Sequence, residues 1–408
     1  MSDVFVIGVG CTPFGRHIET PIRDLARYAI RAAMADADID TRAVGAAFFA
    51  NSSQAHFDGQ HALRGPIALR HAGFENLFVT SVENACAGGL TAFSLAVQAI
   101  RAGACEVAIA VGAEKLVDAD KSKSFSAFDS GVDLGDPDGL SDGLRQLTGG
   151  LPAADDGALK RSRMMDIYAA LAAFHMRNFG STARDFAYVA SKNRNIGARN
   201  PLAAIRSPIG LEEVLASRPV VGPLTVPMCA PLTDGAAAVL LASSDFAQRI
   251  AGRVRVRAAQ VLTGANRQAE ALDKHVARRT SQAAYEEAGL GPNDIDIAEV
   301  HDATAVGEVL QSELLGFCEI GAGARLASSG ATSLGGARPI NLSGGLESKG
   351  HPLGATGLSQ ICELTWQLRG HAGDRQAPGA RIALAENGGG FLTVEEAVCG
   401  VAILEAVA

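Results

Sequence analysis

Residues 82–91, VENACAGGLT, set a cysteine, Cys86, beside Gly88 and Gly89 at the start of an expected helix. Leu90 to Arg101 follows with apolar residues every three or four positions and no proline, which predicts about three helical turns. A thiol in a first helical turn meets the positive end of the peptide dipoles, so its pKa is expected below the usual value of about 8.5. The two glycines are expected to let a substrate carbonyl approach the backbone. A cysteine taken alone is more often a buried structural residue. Two histidine segments shift that balance. Val300-His301-Asp302-Ala303-Thr304 ends a strand-like alternation over Ile295–Val300, and Gly350-His351-Pro352-Leu353-Gly354-Ala355-Thr356-Gly357 is a glycine-rich turn opening a helix over Leu358–Leu368. A helix-start cysteine with two histidines at element ends supplies a nucleophile, a base and an oxyanion donor.

The elements that must position these groups alternate between strand and helix, which predicts an α/β fold. Strands are expected at Val4–Val9, Ala46–Ala50, Val79–Val82, Val107–Val111, Val254–Val261, Ile295–Val300 and Ile382–Leu384, and further helices at Pro21–Ala37 and Ala277–Ala288. From about residue 115 to 215 the chain turns rich in Asp, Gly, Ser and Lys. A loop is expected through Asp129-Ser130-Gly131 to Gly149-Gly150, with helices at Arg163–Phe179 and Ala183–Arg199. An insertion of that length in a compact domain is usually functional or mobile. The order strand, helix, strand, glycine-rich turn, helix, strand recurs from near Arg253, so two halves are expected, 1–250 (including a loop domain at about 115–215) and 251–408. Cys86 and His351 each open the late helix of their own half, and the reactive groups are expected to meet at the interface between halves.

With 408 residues, 48% hydrophobic residues and 46 glycines, the chain is long enough for two packed subdomains. A net charge of -8 without a basic tail argues against a nucleic-acid partner. Lys123, Lys160, Arg161 and Arg163 could meet the phosphates of a nucleotide-like cofactor, although a solvated basic face is the commoner meaning. Seven cysteines show no CxxC and no Cys/His cluster of zinc spacing, so no metal is expected and a reducing compartment fits. The opening MSDVFVIGVG enters a strand directly, and no run reaches membrane-span length, which predicts a cytoplasmic protein away from membranes.

The chain resembles the thiolase superfamily, and within it the sterol-carrier-protein-2 type. The resemblance runs from Val4-Phe5-Val6-Ile7-Gly8-Val9-Gly10 through the Cys86 motif, Asp234-Gly235-Ala236-Ala237-Ala238 and His301-Asp302 to GHPLGATG and its helix. The His-Asp pair, where many thiolases carry Asn-Glu, and Glu363-Leu364-Thr365-Trp366-Gln367-Leu368-Arg369-Gly370 point to that branch. It implies a duplicated thiolase fold, five-layered αβαβα, with an inserted loop domain that covers the site and helps bind coenzyme A as substrate, with no permanently bound cofactor. It implies acylation of Cys86, His351 as the base for the thiol, and His301 with His351 as oxyanion donors. A second oxyanion pocket would pair the Cys86 amide with one from the Gly388-Gly389-Gly390 turn, Gly388 being the expected donor.

The sequence departs from the family in lacking a second cysteine. Glu386-Asn387 precedes the glycine run and Ala303-Thr304 follows the His-Asp pair. Glu386 falls where one such cysteine would be, and a buried carboxylate of raised pKa can move a proton; His301 is the alternative. Met228-Cys229-Ala230-Pro231 replaces the serine-containing segment that meets pantetheine in many thiolases. The resemblance further implies a homodimer, or a hetero-oligomer with a small DUF35-type OB-fold, zinc-ribbon subunit, acting on bulky acyl-CoA (aromatic, steroid or fatty). Two other readings stay open: a retro-aldolase on a 3-hydroxyacyl-CoA, and a non-catalytic lipid-binding or scaffold subunit.

Overall fold

The computed structural model describes residues 3–150 and 161–407. The elements that carry the site are, in chain order, β1 (Val4–Cys11), α1 (Ile22–Ala37), β2 (Ala46–Ala50), β3 (Phe78–Val82), α2 (Gly88–Arg101) and β4 (Val107–Glu114). Then come α3 (Pro137–Thr148), α4 (Arg163–Phe179), α5 (Ala183–Gly197), β5 (Gly235–Ser243) and β6 (Val254–Thr263). The chain closes with α6 (Val276–Ala288), β7 (Ile297–Glu299), α7 (Ala305–Leu314), α8 (Leu353–Arg369), β8 (Ile382–Gly389) and β9 (Val398–Ala406).

The strands run in the order β3-β2-β4-β5-β1-β6-β9-β8-β7. Read outward from the β1/β6 joint, each half repeats one pattern. The first strand pairs antiparallel with the last, the last antiparallel with the one before it, and that one parallel with the next. Only three residue pairs, Val4↔Val256 to Val6↔Val254, join the halves along the sheet. The duplication expected from the chain is therefore visible in strand order and direction.

Helix burial sorts the layers. α1 buries Ile22, Leu25, Ala26, Ala29, Ile30, Ala33, Met34 and Ala37, one stripe at helical spacing, and packs on β1 and β5 as an outer layer. α6 does the same on β6 and β9. α8 instead buries every residue from Leu353 to Thr365, and with α2 it touches strands of both halves, which is the burial of a central layer. α2 and α8 meet by backbone rather than by side chains. A Cβ on Gly89 would lie 3.0 Å from Gly354 O and Leu358 N, and one on Gly112 only 2.0 Å from Gly354 O. Gly89 thus serves helix packing and not, as the sequence suggested, the approach of a substrate carbonyl.

Three boundaries differ from expectation for physical reasons. α8 begins at Leu353, directly after Pro352, because GATG is helical backbone packed against α2. The stretch read as loop between Asp129 and Gly150 contains α3, capped by the Asp136 carboxylate on the Gly139 amide with Pro137 in its first turn. The last strand of each half was not foreseen: β5 is alanine-rich and β9 shows no polar–apolar alternation, and both are buried and paired on either side.

Candidate active site

β3 ends at Val82, and the chain turns sharply through Asn84 and Ala85 into a 3-10 turn, Ala85–Ala87, that leads into α2. Ala85 sits at φ 47°, a left-handed conformation that costs a non-glycine residue of order 1–3 kcal/mol. Two hydrogen bonds hold it: the Ala85 amide donates to Glu83 Oε1 at 2.7 Å and the Ala87 amide to Asn84 O at 3.0 Å. This turn lifts Cys86, half-buried, to the wall of a pocket.

His351 stands opposite, one residue before Pro352 and α8. Its amide donates to Thr233 Oγ1 at 2.8 Å, and its Nδ1 lies 2.8 Å from Thr356 Oγ1. The Thr356 hydroxyl donates its one proton to Pro352 O at 3.1 Å, so it accepts from Nδ1–H. The Nε2 lone pair is thereby left facing Cys86 Sγ, 3.2 Å away. His301 Nε2 lies 3.4 Å from His351 Nε2, with the rings tilted by 50°. The cysteine and both histidines, 265 and 50 residues apart in sequence, are brought together as the motifs suggested.

The electrostatics correct one expectation. Burial, and then the Glu114 carboxylate, push the Cys86 thiol up to about 12, while hydrogen bonds from the Gly390 and Cys86 amides pull the other way. Burial lowers His301 to about 4 and drives His351 well below the ordinary imidazole range. Desolvation opposes the helix dipole at this sulfur, and the imidazole beside it is the group placed to take the thiol proton.

The other expected residues fall as follows. Gly388 lies within β8 opposite Cys399, and it is Gly390, two residues on, that lines the pocket with Cys86. Glu386 does not line the pocket. Its Oε2 accepts the His301 amide at 3.0 Å and its Oε1 the Cys399 thiol at 3.4 Å, so it anchors the His301 loop from behind. Burial pushes its carboxyl up to about 8. Asp302 also anchors that loop, accepting from the Leu346 amide (2.8 Å) and Asn193 Nδ2 (3.0 Å). Of the basic residues, Lys123 binds Phe57 O, Arg163 is exposed, Arg161 lines the pocket beside Asp166, and Lys160 lies outside the described residues.

Sequence reasoning missed several groups. Thr356 sits inside GHPLGATG, five residues past the histidine and one helical turn past Pro352, so its hydroxyl was a readable signal. Glu114 had none. At the end of β4 it accepts from Asn51, Ser52, Ser53 and, at 3.0 Å, the Gly354 amide, tying the His351 turn to the first half. The pocket, about 280 Å³, is walled by Phe125, Phe128, Met164, Met165 and Tyr168 of the inserted segment and by Cys229, Ala230, Pro231 and Leu232, and Arg194 and Arg218 join Arg161 in it.

Residues 4–245 match the model of the thiolase N-terminal domain, and residues 258–403 that of a thiolase C-terminal domain-like unit. The human sterol carrier protein 2 is 37% identical over 404 residues, covering 95% of this chain and 70% of that protein. An acetyl-CoA acetyltransferase of Methanothermobacter thermautotrophicus is 35% identical, covering 96% of this chain and 97% of its own. The benzoylsuccinyl-CoA thiolase subunit BbsB of Thauera aromatica is 32% identical, covering 95% and 94%. A solved Ltp2-ChsH2(DUF35) aldolase chain superposes with a TM-score of 0.77 at 23% identity, covering 99% of this chain and 98% of that one, which speaks to the fold alone. With both halves matched and two of these relatives aligned nearly end to end, the chain belongs to the thiolase family and is an acyltransferase of that kind.

Proposed function

We propose that the chain cleaves or forms a 3-oxoacyl-CoA through a covalent acyl group on Cys86. The observation that carries this reading is the 3.2 Å contact between Cys86 Sγ and a His351 Nε2 whose proton is fixed on the other nitrogen by Thr356. The thiol proton passes to that Nε2 as sulfur attacks the thioester carbonyl, and from there to the departing sulfur of coenzyme A. Exchange of one thioester for another is close to neutral, so one hard transfer becomes two easier ones. The Cys86 and Gly390 amides serve the oxyanion; one such donor typically contributes about 3–4 kcal/mol to the barrier. With Glu386 turned away from the pocket, His301 takes the place of the missing cysteine at the alpha proton.

Arg161, Arg194 and Arg218 suit the phosphates of coenzyme A, and the aromatic and methionine wall suits a bulky acyl group. The Thauera relative, by name a subunit of a benzoylsuccinyl-CoA thiolase, supports an aromatic substrate and a hetero-oligomer over a bare homodimer; a DUF35-type partner is what the family resemblance implies. All seven cysteines are free, which suits a reducing, cytoplasmic setting; separately, no helix among the described residues is long and apolar enough to cross a membrane.

Intact mass spectrometry after incubation with acetyl-CoA and aromatic acyl-CoAs tests the reading. An acyl adduct located on Cys86 is the expected result. Cleavage of a 3-hydroxyacyl-CoA with no adduct would favour the retro-aldolase instead, and neither activity would leave a binding subunit.

A further inference from the structure

A second, smaller cavity lies behind His301, walled chiefly by apolar side chains such as Leu310, Leu314 and Phe391. Its free volume is about 20 Å³, room for a single water, which needs roughly 10–15 Å³. Three of its lining residues carry a buried polar atom with no hydrogen-bond partner among the described residues: His301 Nδ1, Gln311 Oε1 and Glu396 Oε2. A buried water typically makes about three hydrogen bonds, which matches that set. Glu396 is held in place on its other oxygen, where Gln311 Nε2 donates to Oε1 at 3.1 Å. Its Oε2 lies 3.2 Å from His275 Nε2 but outside hydrogen-bond geometry. Gly388 makes space for this side chain, since a Cβ there would come 2.6 Å from Glu396 Cγ. The first glycine of the GGG run thus owes its place to Glu396 rather than to an oxyanion.

We propose that Glu396, through one water in this cavity, receives the proton that His301 takes from the substrate's alpha carbon; this rests on the thiolase reading above. The C–H bond alpha to the thioester breaks and its electron pair forms the enolate. The proton goes to His301 Nε2, Nδ1–H passes to the water, and the water delivers a proton to the Glu396 carboxylate. His301 ends neutral in its other tautomer, one negative charge has moved from Glu396 to the enolate, and protonation of an enolate in the cleavage direction is the reverse. Glu396 touches no substrate and acts through His301.

The groups facing Glu396 are Arg267, which is paired with Glu395 at 2.7 Å, His275, Glu395, Glu386, Tyr168 and Cys399. Burial, and then Glu395, push the Glu396 carboxyl up to about 7, so its ionised, proton-accepting form is present above that pH and lost below it.

The test is alpha-deuterium exchange of acetyl-CoA in D2O, followed by NMR from pH 5.5 to 9 in wild type, E396Q and Q311L, with Cys86 alkylation by iodoacetamide as the control for an intact site. Wild-type exchange should rise through a limb near pH 7. E396Q should lose that limb and slow exchange about 10- to 100-fold, Q311L should slow it less, and alkylation should stay within about twofold. Wild-type exchange with the limb retained in E396Q, or with rates within about twofold of wild type, overturns the relay while leaving the thiolase reading standing. Wild type that neither exchanges nor becomes acylated overturns that reading and the relay with it.

Discussion

The two histidines of the site are neighbours held in opposite ways. His351 is fixed at three points: its amide on Thr233, its Nδ1–H on Thr356, and its Nε2 on Cys86. His301 is fixed through its backbone by Glu386 and by the anchors on Asp302, while its Nδ1 has no protein partner among the described residues. A ring with its tautomer locked can do one thing well: accept a proton at Nε2. A ring with one nitrogen open to a small cavity can take a proton on one side and release it on the other. In the proposed reaction this difference separates thiol activation from carbon-acid chemistry, although the two Nε2 atoms lie 3.4 Å apart.

Removing what both rings serve should have the largest effect. Cys86→Ala should lower thiolysis by about 10³-fold or more and abolish the acyl adduct seen by intact mass, with the melting temperature little changed. An adduct persisting in this variant would place the nucleophile elsewhere.

Separating the rings comes next. His351→Ala should slow iodoacetamide alkylation of Cys86 at neutral pH by about 10²-fold or more, whereas His301→Ala should leave alkylation nearly untouched and depress carbon–carbon cleavage or formation by about 10²-fold. Equal alkylation in wild type and His351→Ala would erase the distinction. The tautomer lock is a finer test. Thr356→Val removes the acceptor for Nδ1–H but keeps the shape, so acylation should fall about tenfold and carbon-acid exchange should follow only as far as acylation limits it.

The smallest effect concerns the anchor behind His301. Glu386 has a folded-state pKa of about 8, above its unfolded value near 4.5. A group whose pKa is raised on folding contributes its stability below the unfolded pKa and loses it as pH rises through the folded one. Wild type should therefore lose melting temperature between about pH 5 and 8.5 more steeply than Glu386→Gln, which keeps an acceptor for the His301 amide. Alpha-deuterium exchange in that variant should stay within about threefold of wild type; a much larger loss would return the proton-transfer role to Glu386.

Much of this was readable from the chain. The strand before Cys86, the helix after it and the turn before α8 follow from periodicity and from proline and glycine placement, and Ala46–Ala50 and Arg163–Phe179 match residue for residue. The failures share a cause. Gly388, Gly389 and Gly390 are indistinguishable as letters, and only the register of β8 against β9 and the Cys86 turn decides which of them lines the pocket. Glu386 could be aligned to a missing cysteine, but strand alternation points its side chain toward Cys399 and the back of His301, away from the pocket.

The sequence by itself determined which groups come together and how the chain is duplicated, because both are written in local spacing: a cysteine ahead of a helix, a histidine ahead of another, and one order of elements run twice. Tertiary structure alone decided their ionisation and their wiring. Burial pushes the Cys86 thiol up against the helix dipole, and Glu114 and Glu386 take their anchoring places from elements distant in sequence. Burial and long-range contact are sums over the whole packed molecule, and no window of sequence contains them.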